Sequence, residues 1–238
     1  MIKNSKSSKT WKIALTIALI LSVMSFVLSG CSSGNSSNQA AHSGTNTNNI
    51  QSAVTDNTNK SSKDTDGDGI PDEVEKTYGT NPYVADTDGD GINDKADKDP
   101  LKTENLIKET STAPLELKIK DARVEDNATA DHLEITMTNT GKTALSNFDI
   151  YYTITDKVDK TQESYYQALN GLSINPGETK TIHFDNQVSE FGHYYGNMSG
   201  LYGNSKNGLV FDIQLHAKGF KPMEFKVEKA KGTAEVAD

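Results

Sequence analysis

The chain has 238 residues, of which 34% are hydrophobic and 24% charged, and its 33 Asp and Glu against 24 Lys and Arg leave a formal net charge of −9. A single cysteine excludes an internal disulfide. A net acidic chain with one arginine, Arg123, lacks the basic footprint needed to hold a nucleic-acid backbone.

Residues 1–12 carry Lys3, Lys6, Lys9 and Lys12 and no acid, and residues 13–28 form a mostly apolar run. This is the pattern of a secretory signal peptide over residues 1–30. As an uncleaved anchor the run falls short of the roughly 20 residues needed to cross a bilayer. Leu28, Ser29, Gly30 and Cys31 follow in series and resemble the lipobox of bacterial lipoproteins. That resemblance implies a lipid on the Cys31 thiol, a mature chain beginning there, and residence on the outer side of a bacterial cell membrane. Two or more acyl chains hold a protein firmly where one does so only marginally.

From Cys31 to residue 63 the chain is dominated by Ser, Asn, Thr and Gly and has no aromatic residue. Such a stretch cannot bury enough apolar surface to offset its conformational entropy, and is expected to be a disordered tether.

Residues 64–75 and 86–97 then repeat one spacing of acidic side chains. In the first, Asp64, Asp66, Asp68, Asp72 and Glu75 stand at positions one, three, five, nine and twelve, with Gly69 at six. Asp86, Asp88, Asp90, Asp94, Asp97 and Gly91 take the same places in the second. Calcium takes 6–8 hard oxygens at about 2.3–2.6 Å, which a tightly turned twelve-residue loop supplies from these positions and from the backbone carbonyl at position seven, here Ile70 and Ile92. Residues 64–99 hold twelve acids and three lysines, so this segment carries the whole net charge of the chain. Two carboxylates 4 Å apart repel by about 4 kcal/mol at an effective dielectric of 20, so such convergence calls for a cation. About two calcium ions are expected.

No helical apolar period precedes Asp64, whereas residues 71–78 predict a short exiting helix with Pro71 at its start and Gly79 as its C-cap. The loops, the connector Gly79, Thr80, Asn81 and Pro82, and the closing run 94–100 resemble bacterial thrombospondin type-3-like calcium repeats. The resemblance covers residues 64–100 and implies calcium binding in a spacer, with ions able to share ligands between turns. Dockerins use a similar loop, but residues 98–100 leave too little room for a second docking helix.

Residues 101–112 read as a polar connector, with one helical turn predicted around residues 104–108. Period-two alternation follows in residues 115–119, 133–137 and 148–154, and further strands fit residues 164–169, 179–184, 209–216 and 223–227. Turn signals fall at residues 139–142 and 175–178. The expected fold is mainly β: an antiparallel sandwich over residues 113–230, preceded by the small calcium-loop segment and the tether, with 231–238 a disordered tail. Its turns resemble those of immunoglobulin-like modules on bacterial and archaeal surfaces, without their Cys-Trp-Cys arrangement.

Residues 185–208 lack strand character and hold Phe191, His193, Tyr194, Tyr195 and Tyr202, a candidate recognition loop by composition or an aromatic plug on one end of the sandwich. His132 and His216 alternate to the solvent side. No nucleophile beside a base, carboxylate pair, zinc motif or phosphate loop is legible, so no catalytic residue is assigned. The expected whole is a non-catalytic, membrane-anchored surface lipoprotein whose sandwich binds an extracellular protein or glycan. Its alternatives are a structural spacer and a transporter's solute-binding lipoprotein.

Overall fold

The computed structural model describes residues 62–125 and 132–229; the expected signal peptide, Cys31, the expected tether up to residue 61 and the expected tail lie outside them. Eight strands form two four-stranded sheets. One has β1 (Leu117–Glu125), β2 (His132–Asn139), β5 (Thr179–Phe184) and β6 (His193–Tyr194) in the order β1-β2-β5-β6. The other has β3 (Leu145–Asp156), β4 (Gln162–Ile174), β7 (Leu209–Ala217) and β8 (Met223–Lys229) in the order β4-β3-β7-β8. All pairings are antiparallel except the two-residue β5–β6 contact, which is parallel.

The predicted alternation builds the core. Ile135 and Met137 of β2, Ile150 and Ile154 of β3, Leu169 of β4 and Ile213 of β7 are fully or nearly fully enclosed between the sheets. Each such side chain contributes about 1.5–3 kcal/mol by leaving water. The two turn signals prove to be one structure. The Asn139 amide, wholly buried, donates to the carbonyls of Thr143 and Ile174 at 2.8 Å each, while its side-chain oxygen accepts from the Gly141 N–H. Asn139→Ala strands those carbonyls and should cost about 2–4 kcal/mol in urea unfolding.

The connector is extended; the helical turn expected at residues 104–108 is absent because its polar side chains are engaged with the sheet. Asn105 donates to Gln214 at 2.8 Å, and Glu109 reaches His216 Nε2 and the Gly219 N–H at 3.3 and 2.8 Å. His216 therefore does not face solvent. It is 6% exposed, with its Nδ1 2.7 Å from Asp149. Alternation placed it on the outer face correctly, but the connector covers that face.

The acidic segment is likewise docked on the sandwich. Strand β4 is an edge strand, and its Tyr166 N–H donates to the Asp88 carbonyl at 2.8 Å while its Ser164 N–H donates to the Leu101 carbonyl at 3.0 Å. The buried amides of Asn81 and Asn197 tie the rest: Asn81 donates to the Gly196 carbonyl at 3.2 Å and Asn197 to the Gly79 carbonyl at 2.7 Å. Residues 79–103 thus lie against one side of the sandwich.

Candidate metal centre

Both loops turn in the same way because the same residues recur. Gly67, Gly69, Gly89 and Gly91 all have φ between 79° and 95°, a left-handed conformation that suits glycine. Asp64 accepts the N–H groups of Gly67 and Gly69 at 2.8 and 3.1 Å, and Asp86 those of Gly89 and Gly91 at 3.0 and 2.8 Å. Position nine makes another matching contact: Asp72 accepts from the Thr65 N–H and hydroxyl, and Asp94 from those of Thr87, all at 2.7–2.8 Å. The first loop is then closed by helix α1 (Asp72–Tyr78), which begins after Pro71 and ends at Gly79 in the left-handed conformation; the second closes in turns without a helix.

Three carboxylate clusters form among the described residues: Asp64, Asp66 and Asp68; Asp68, Glu75 and Asp94; and Asp86, Asp88 and Asp90. Within each, one oxygen per residue lies within 4.8 Å of the others. Asp68 belongs to two clusters, and Asp94 leaves its own loop to join Glu75 of the first. Register alone assigns each ligand to its own loop; the crossing is the sharing of ligands between turns that the repeat resemblance implies. The remaining position-nine residue, Asp72, joins no cluster; it pairs with Lys63 at 2.9 Å, and the Thr65 hydroxyl and Lys63 hold its pKa below the ordinary carboxylate value. Asp97 also joins none, accepting the Asp99 N–H at 2.9 Å. The carbonyls of Ile70 and Ile92 accept no hydrogen bond among the described residues; Ile70 is buried and Ile92 exposed.

The electrostatics of the clusters is adverse without a cation. Glu75, 0% exposed, has its pKa pushed up to about 8, first by burial and then by repulsion from Asp66, Asp68 and Asp94. Burial likewise lifts Asp88 to about 7 and Asp94 to about 6, and raises Asp66 and Asp68. Asp66 Oδ2, Asp68 Oδ2 and Glu75 Oε2 are buried with no hydrogen-bond partner among the described residues. Orphaned anionic oxygens at this density fit a hard divalent cation of calcium's kind, which takes oxygen donors alone.

The expected recognition residues do not share a surface. Tyr194 and Tyr202 are buried in the core, Tyr202 from the short helix α2 (Leu201–Asn204), and Tyr195 is half-buried. Phe191 alone stands out, 68% exposed beneath the Lys180 ammonium. His193 stacks on His183 with ring centroids 4.6 Å apart and places Nδ1 2.8 Å from Asp185. The loop plugs the sandwich because Tyr194 extends β6 beside Phe184 and Tyr202 meets Phe211 edge-on.

Residues 64–85 and 86–96 match the bacterial TSP3 repeat family, a calcium-binding type of repeat. No curated protein matches the chain. Among solved structures, an ApaA protein of Bordetella pertussis aligns over 52% of this chain and 99% of its own, with 14% identity and a TM-score of 0.31. The Arabidopsis thaliana protein AT1g01470 aligns over 58% and 93%, with 11% identity and a TM-score of 0.33.

Proposed function

Starting from a TSP3-type calcium-binding segment packed on a β-sandwich, we propose that the chain is a non-catalytic surface lipoprotein of the bacterial envelope. Its lipid on Cys31 tethers it, and its sandwich, of immunoglobulin-like type, serves as a binding or adhesion module. The observation that carries the calcium reading is the set of orphaned buried oxygens on Asp66, Asp68 and Glu75. Bound calcium supplies the positive charge that lets these carboxylates stay ionised and buried. Asp68 and Asp94 then join the two loops, Glu75 fixes helix α1 to them, and Asp88 holds the second loop while its carbonyl receives Tyr166 of β4. In this reading calcium clamps residues 64–103 to the sandwich edge. A tenfold to hundredfold excess of calcium over its dissociation constant would add roughly 1.4–2.7 kcal/mol per site.

The test is calorimetric calcium titration of the chelator-stripped chain, with circular dichroism before and after. Saturation at about two to three ions, lost in an Asp66→Ala, Asp88→Ala variant, is expected. Absence of heat and of spectral change at millimolar calcium would overturn the reading. Anchoring is checked separately: Cys31→Ser should move the protein from the membrane fraction to the medium. Burial of Tyr194 and Tyr202 favours a second reading, in which the sandwich is a structural spacer.

A further inference from the structure

Between the calcium segment and the sandwich runs a cleft of about 360 Å³. One wall comes from the segment, at Val84, Asp86 and Thr87; the other from β4, at Gln167 and Asn170, with Tyr195 beside it. Tyr152 also lines it and is 6% exposed. No side-chain hydrogen bond joins Tyr152, Gln167, Asn170 or Tyr195 to the described residues, and the Tyr152 hydroxyl is not among the sealed orphan oxygens, so it is reachable from solvent. A tyrosine hydroxyl and two amides that spend no hydrogen bonds on the protein and line one cleft leave donors and acceptors free for a polar occupant.

The geometry points to a binding site for a neutral sugar, a pyranose unit of a glycan, in this cleft. The inference rests on the binding-module reading and supplies its ligand class and place. The size falls within the range of small-molecule sites, which combine aromatic surface with a few placed polar groups. Each polar group here suits a hydroxyl-rich molecule. Gln167 and Asn170 offer both donors and acceptors, Tyr152 and Tyr195 hydroxyls do the same, and Asp86 accepts. Val84, Ala168 and the tyrosine rings give apolar area for the C–H face of a sugar ring. No Lys, Arg or His lines the cleft among the described residues, and the flanking segment is strongly acidic, so an anionic ligand finds no counter-charge. Asp86 belongs at once to a carboxylate cluster and to the cleft wall. Calcium, by ordering the loop that forms this wall, should strengthen sugar binding, and sugar should then strengthen calcium binding by the same factor.

The experiment uses the full chain in detergent and immobilised neutral oligosaccharides of glucose, N-acetylglucosamine and mannose, with phosphorylated and uronic-acid oligosaccharides as charged comparators. Saturable binding to at least one neutral probe is expected. It should weaken by at least about tenfold in EGTA and in Gln167→Ala and Tyr195→Ala, and be unchanged in Phe191→Ala. Calcium titration of the same variants reports whether they remain folded. No neutral binding while calcium binding persists overturns the sugar site and leaves the calcium reading standing. Binding that is indifferent to EGTA, confined to charged probes, or lost only in Phe191→Ala also overturns it.

Discussion

Glu75→Gln is expected to move stability in opposite directions with and without calcium. Gln preserves the shape of the side chain but removes its charge at the most enclosed point of the segment, where Glu75 Oε2 is orphaned and Thr80 contacts Oε1. With calcium, the variant loses a charged ligand from the cluster that joins the two loops. Affinity should fall on the order of 100-fold, since even outer-shell partners of a metal cost 10–100-fold. Without calcium, the variant should be the more stable protein. The wild-type carboxyl has an ordinary pKa of 4.5 when unfolded and about 8 when folded. Its stabilising protonation is complete below the lower value and lost as pH rises through the upper one. The gap between variant and wild type in chelator should thus open from about pH 4.5 to about pH 8 and then level off. Thermal melts in EGTA and in calcium across that range check both signs; a variant less stable in EGTA as well would show that the carboxylate is held by protein contacts alone.

Gly89→Ala should detach the acidic segment from the sandwich. Gly89 has φ 81°, and a Cβ there would overlap the Tyr166 carbonyl oxygen of the β4 backbone. Backbone cannot yield as a flexible side chain does, so strain and overlap together should cost at least about 3 kcal/mol. Gly91 is the internal control. Its φ of 95° is as strained for alanine, yet a Cβ there meets nothing within 4 Å. Gly91→Ala should therefore cost only about 1–2 kcal/mol. Hydrogen exchange reads the difference at one atom: the Tyr166 N–H, bonded to the Asp88 carbonyl, should lose protection in the first variant and keep it in the second. Equal loss in both would mean that loop strain, not the close approach to β4, decides docking.

What was legible in the sequence was local. The paired acidic spacing, Gly79 as the helix stop and the two turns around Asn139 and Gly177 each follow from a few adjacent residues. The strands were readable where one face is apolar, as in Phe148, Ile150, Tyr152 and Ile154. What escaped was set by distant partners. Strand β6 has two residues and is defined only by pairing with His183 and Phe184. Asp94 reaches a cluster of the other loop; Asp72, by contrast, is taken by its near neighbours Lys63 and Thr65. His216 has the alternation of a surface residue and the burial of an interior one, owing to a glutamate 107 positions away. Tyr194 and Tyr202 have the composition of a contact surface and the packing of a core.

The cover over β4 has one more consequence. A bare edge strand presents a row of amide and carbonyl groups on which another chain can add as a further strand, the common starting point of sheet-mediated aggregation. Here the carbonyls of Asp88 and Leu101 occupy the N–H groups of Tyr166 and Ser164, and the Thr103 N–H occupies the Ser164 carbonyl. The acidic segment is thus also a guard against self-association, one that lends this edge electrostatic repulsion toward its own copies as well as a physical cap.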